Sequence, residues 1–290
     1  MLSQWLCVPG GTTTWVHPGA TLLCVILAAA YAWVVGPGRS HFAESAPVGL
    51  GKKSAFFGGL FFLYATIATP VADLGMMYLV SAMMVVHMVQ TLLVVPLMLM
   101  GLPAWLIEPA LRQPVVPSVV GFLTRPVVAL LLFNLVFSLY HFPSIVQLMM
   151  HPASNAIWME LLLDLLAAAM WWPIIRPVPQ AREMPMLIEV AYLFGNMMAL
   201  MPACGVLVYA KQPMFDSYLS APVIWGISHL WDQQLAGALM ALGTSFIYAA
   251  AMTVVFFRWA ARQQRDERAQ WEELNVLPFP AAELQEVERH

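Results

Sequence analysis

The residues of this chain that could do chemistry lie inside or beside its apolar stretches. Between Gly75 and Gly101, GMMYLVSAMMVVHMVQTLLVVPLMLMG, there is no Asp, Glu, Lys or Arg, and His87 stands near the middle. At about 100° of rotation per residue, Met76, Met83, Met84, Gln90 and Thr91 fall within roughly 60° of His87, so one helical face would carry thioethers, an imidazole, an amide and a hydroxyl. Met88, about 100° round from His87, points elsewhere. Further along, His141 lies in SLYHFP with Asn134 seven residues earlier on the same face, Glu160 and Asp164 are four apart, and MPAC holds Met201 and Cys204. Asp73, Asp232, His17, His151 and His229 flank apolar segments.

Two chemistries stay open for this set. Sulfur beside imidazole suits Cu(I), so His87 and His141 with Met83, Met84 and Cys204 would ligate the ion, while Asp73, Gln90, Glu160, Asp164 and Asp232 attract it or orient the imidazoles. Alternatively, methionine fills an uneven core, the histidines are buried hydrogen-bonding groups, and Asp73 and Asp232 cap helix N-termini. Glu160 and Asp164 resist the second reading most, because a carboxylate at membrane depth is costly unless it is paired or protonated.

The elements that must position these groups are membrane helices. The chain is 290 residues long, 61% hydrophobic and 10% charged, with a mean hydropathy of +0.74, far from soluble usage. Apolar segments near 20–36, 54–70, 75–100, 126–146, 155–175, 187–210 and 234–258 each approach the ~20 residues a transmembrane helix needs. The expected fold is therefore an all-α bundle of seven transmembrane helices, with a tail over 1–19 and a polar tail over 259–290. Pro70, Pro96, Pro143, Pro173 and Pro202 are expected to mark helix ends or kinks.

Every Lys and Arg except Lys211 falls in the linkers after spans one, three and five or at the C-terminal end. The positive-inside rule then places the N-terminus outside and the C-terminus in the cytoplasm, with His87, His141, Glu160 and Cys204 in the outer half. A net charge of -3 with scattered basic residues leaves no footprint for nucleic acid. Three cysteines without C-x-x-C spacing make a disulfide framework or a copper-shuttle motif unexpected. No nucleophile or triad is visible, so an enzyme is not expected.

The segments SAMMVVHMVQTLLVVPLMLMGLPAW, RPVVALLLFNLVFSLYHFP, MWWPII, LFGNMMALMPACGVLVYA and WDQQLAGALM, in this order across roughly 55–260, resemble the Bacillus-type CtaG family of polytopic assembly factors for caa3-type cytochrome c oxidase. The resemblance implies a multi-pass protein of the bacterial plasma membrane, seven spans, oxidase subunits as partners, and a role in supplying copper to a haem-copper oxidase. Positions matching the family motifs are His87, Gln90, His141, Pro143, Trp171, Trp172, Pro202, Cys204, Asp232, Gln233 and Gln234. Thr91 stands where many relatives have a second histidine, which removes an i, i+4 partner from His87. Span five here has Glu160 and Asp164 where many relatives place a histidine. Rival expectations are a copper or proton-coupled permease using Glu160 and Asp164, a metal-free scaffold for oxidase subunits, and a haem protein with His87 and His141 as axial ligands.

Overall fold

In lipid, a chain this apolar can satisfy its backbone N–H and C=O groups within each segment only as helix. The computed structural model describes residues 16–42, 45–150, 154–179 and 183–276, and among these there is no strand. The helices are α1 (Pro18–Val35), α2 (Leu50–Ile67), α3 (Pro70–Asp73), α4 (Val80–Val89), α5 (Val95–Gly101), α6 (Ala104–Leu111), α7 (Val116–Leu123), α8 (Pro126–Tyr140), α9 (Pro143–Met150), α10 (Ser154–Ile175), α11 (Met186–Val208), α12 (Asp216–Leu219) and α13 (His229–Val276). Five stretches are long and apolar enough to cross a bilayer: Pro18–Val35, Val80–Gly101, Ile157–Ile175, Met186–Val208 and His229–Glu272. Two bent pairs, Leu50–Ile67 with Pro70–Tyr78 and Val116–Leu123 with Pro126–Tyr140, raise the number to seven if each is one span. The protein is an all-α polytopic bundle.

Proline sets the breaks. Thr69 and Arg125 precede Pro70 and Pro126 and are both extended, because the following ring disfavours helical backbone at that position. The chain bends there by 51° and 75°. Pro143 likewise opens a new helix, so the expected span over 126–146 is helical only to Tyr140 and leaves His141 outside regular helix. Pro173 and Pro202 are instead accommodated inside α10 and α11.

The stretch read as one helix from Gly75 to Gly101 is divided. Leu74–Tyr78 forms a π turn, Leu79 is extended, and helix restarts at Val80. Met76 is therefore removed from the His87 face and is 52% exposed, while Met83, Met84, His87, Gln90 and Thr91 are all buried. A second π turn, Gln90–Val94, joins α4 to α5 and ends with the Val95 N–H on the Gln90 carbonyl. It sits just before Pro96, whose ring cannot supply the next helical N–H.

One buried cluster unites α4, α8, α10, α11 and α13, including Met84, Phe133, Leu163, Met170, Leu193, Leu200, Met240 and Tyr248. A smaller cluster joins α1 and α2 through Tyr31 and Phe56, whose rings stack at 3.7 Å. Gly101 lets α5 reach this pair: a Cβ there would lie 2.5 Å from the Phe56 Cβ, and its carbonyl accepts the Tyr31 hydroxyl at 2.9 Å. The outward faces remain apolar, with Leu131, Leu135, Leu165, Leu242 and Phe246 more than half exposed. Such surface belongs against acyl chains.

At one end of the bundle a buried ion cluster ties three helices. Glu189 of α11 accepts Arg176 at 2.8 Å and Arg258 of α13 at 2.5 Å, and Arg258 also donates to the Ile174 carbonyl at 3.2 Å. Arg176 leaves α10 with a φ of 52°, a left-handed turn usually given to glycine. Its side chain is needed for Glu189, which offsets the strained backbone.

Candidate metal centre

Three helices frame the candidate site through the last turn of α4, the end of α8 and the first turns of α10. His87 lies about 10 Å into α4 and Glu160 about 9 Å into α10, while His141 is the residue that stops α8. Their side chains meet. His87 Nδ1 is 3.3 Å from His141 Nε2, and His87 Nε2 is 2.6 Å from Glu160 Oε1. Tyr140 donates its hydroxyl to the same Glu160 oxygen at 3.3 Å.

The proton positions follow from donor and acceptor roles. His141 Nδ1 lies 2.7 Å from the Phe137 carbonyl, which can only accept, so Nδ1 carries the hydrogen and the neutral ring's Nε2 presents a lone pair. His87 Nδ1 then donates to that lone pair. One further proton is shared between His87 Nε2 and Glu160, as imidazolium with carboxylate or imidazole with carboxylic acid; the pair is neutral overall either way. Thr91 donates to the His87 carbonyl at 2.7 Å, and the Trp171 indole donates to the Thr91 carbonyl at 3.0 Å, fixing the backbone beneath the ring.

Each imidazole thus has its outer nitrogen tied to an acceptor and its inner nitrogen aimed at the other ring, the orientation in which metal-ligating histidines are held. Two nitrogens on one tetrahedral ion at bonds of about 2.0–2.1 Å lie roughly 3.3–3.4 Å apart, which the observed spacing matches. An ion there would replace the proton on His87 Nδ1, leaving His87 Nε2–H on Glu160 and His141 Nδ1–H on Phe137. The His87 side chain is 3% exposed and that of Glu160 29%, so the carboxylate stands at the way in.

The other expected site residues are distributed as follows. Met83 turns its sulfur to the Tyr218 hydroxyl at 3.1 Å, beside the Gly75 carbonyl that accepts the same hydroxyl. Burial, with Asp232 nearby, pushes the Tyr218 phenol well above its ordinary pKa and keeps it a neutral donor. Met84 is buried in the same core, and Met88 presses against Gly243 of α13. Asp164 has a buried Oδ1 without a partner one turn beyond Glu160. Gln90 reaches Thr66 at 3.5 Å, Asp73 pairs with His17 at 3.2 Å, and Cys204 is buried where α11 meets Gly237 of α13. Asp232 accepts from the Val80 and Ser81 amides, at 2.6 and 3.2 Å, and from the Ser81 hydroxyl. It is a helix cap, but for α4 and not for its own helix. His151 lies outside the described residues, and no group of three or more His, Cys, Asp or Glu able to hold a metal occurs among those described.

Tyr140 and the Phe137 carbonyl are hydrogen-bonding neighbours of this group that the sequence reading passed over. The signal was the hydroxyl-bearing aromatic beside His141 in YHFP, since a buried tyrosine needs a partner for its O–H.

A model of the cytochrome c oxidase caa3 assembly factor family matches residues 29–262, the whole of the site included. The chain belongs to that family. No curated protein and no solved structure matches it. Within this family member, His87, His141 and Glu160 are polar residues that the fold brings to one point.

Proposed function

We propose that this assembly factor takes up Cu(I) between His87 and His141 and passes it to subunits of a haem-copper cytochrome c oxidase. The carrying observation is the pair of facing nitrogens at 3.3 Å, each ring held from behind by its own acceptor. Glu160 draws the cation in and accepts the His87 Nε2–H once it is bound. With the basic residues on the cytoplasmic side, the site opens toward the outer face of the bacterial plasma membrane. Met84 is the thioether best placed by sequence to complete the coordination, because Met83 is engaged by Tyr218.

The test is copper content after purification under reducing conditions. Wild type should hold up to one Cu(I) per chain and His87→Ala/His141→Ala none, with both retaining the same helical signal. Equal copper in the two would sink the proposal.

A metal-free scaffold that docks oxidase subunits has its own support: the 3.3 Å contact is also a hydrogen bond, and no three-residue His, Cys, Asp or Glu set occurs among the described residues. On that reading the double variant lowers folding yield but leaves copper in the matured oxidase unchanged per folded molecule.

A further inference from the structure

At the end of the bundle opposite the histidine pair, a cavity of about 520 Å³ opens between α6, α7 and the end of α10. Its wall carries Arg112, Arg125 and Glu108, and its floor is apolar, with Trp172, Pro173 and Met184. Helix α7 meets α8 at 75°, so when α8 crosses the bilayer α7 lies close to the membrane plane. Val119 and Phe122 on α7 are about half exposed, as suits a helix embedded at the interface. The Arg125 guanidinium stands 5.7 Å over the Phe122 ring, and Glu108 is 3.8 Å from Arg112. The ionisable residues lining the cavity are thus two arginines and one glutamate.

We infer that this cavity is a site for one anionic glycerophospholipid, its phosphate held by Arg112 and Arg125 and the upper acyl chain lying on Trp172, Pro173 and Met184. Guanidinium is the side chain best matched to phosphate oxygens. Basic recesses between helices at the interface select anionic headgroups. The volume falls within the ~300–1,000 Å³ of small-ligand pockets, enough for a headgroup and the first part of a chain. A free phosphate would satisfy the arginines but leave the apolar floor uncovered. The cavity is about 18 Å along α10 from Glu160, so it is separate from the imidazoles.

The experiment titrates detergent-purified protein with short-chain phosphatidylglycerol, phosphatidylcholine or inorganic phosphate, following the unfolding midpoint, and counts retained lipid by native mass spectrometry. Phosphatidylglycerol should raise the midpoint saturably with one molecule retained, whereas phosphatidylcholine and phosphate should not. Arg112→Gln/Arg125→Gln should reduce phosphatidylglycerol retention at least fivefold. Glu108→Gln, which deletes only the opposing carboxylate, should hold it as well or better and decides the matter if the double variant folds poorly. Undiminished retention in the double variant, a fall in Glu108→Gln, or an equal response to phosphatidylcholine or phosphate would each overturn the inference.

Discussion

His87 has two nitrogens and both are committed, one to His141 and one to Glu160, so the chemistry of the site depends on which neighbour keeps its proton. Replacing Glu160 by Ala removes the acceptor for His87 Nε2–H. Cu(I) affinity, read by competition with a chromogenic chelator, should fall by roughly 10–100-fold, the usual cost of losing a group that orients a ligating histidine. An unchanged affinity would remove Glu160 from the site. Tyr140→Phe deletes only one longer hydrogen bond and should cost about 0.5–1.5 kcal/mol in stability. Sequence periodicity was enough to nominate His87, His141 and Glu160, because each is a costly group in an apolar run. It could not assign their partners: the Phe137 carbonyl that sets the His141 tautomer is backbone, and no side-chain pattern marks it.

Helix α4 begins with no cap of its own, and a residue far along the chain supplies one. The Asp232 carboxylate on α13 receives the first amides of α4, so the helix carrying His87 is positioned by a neighbouring helix that is distant in sequence. Asp232→Ala should destabilise the protein by about 1–2 kcal/mol, with Asp232→Asn recovering part of the loss, in a denaturant titration in mixed micelles. The capping role was legible in outline, since an acidic residue beside a span suggests it, but the helix it serves was not. Met76 shows the matching difficulty: a uniform 100° step holds only while the helix is regular, and the π turn and extended Leu79 cancel it. Neither feature has a sequence signature as plain as proline's at Pro70 and Pro126.

The molecule as a whole is fastened at two ends by different means, the Asp232 cap and histidine pair at one and the Glu189 cluster at the other. Glu189 received no role from sequence because its partners, Arg176 and Arg258, were accounted for as topological charges. Glu189→Ala would leave two cations without their shared partner and should cost about 3–5 kcal/mol, reduced by exposure of Arg258, whereas a lone surface pair would cost under ~1 kcal/mol. Orientation has its own measurement: in intact cells an impermeant thiol reagent should label Lys211→Cys, and should label Arg268→Cys only after permeabilisation. The opposite pattern would place the histidines on the cytoplasmic side. Finally, α13 runs unbroken from His229 to Val276, a rod of about 70 Å against a ~30 Å hydrocarbon layer. Pivoting such a lever by about 5° around its centre carries each tip sideways by roughly 3 Å. The far tip and Asp232, on which the helix of His87 is seated, therefore belong to one continuous rod that reaches across the membrane.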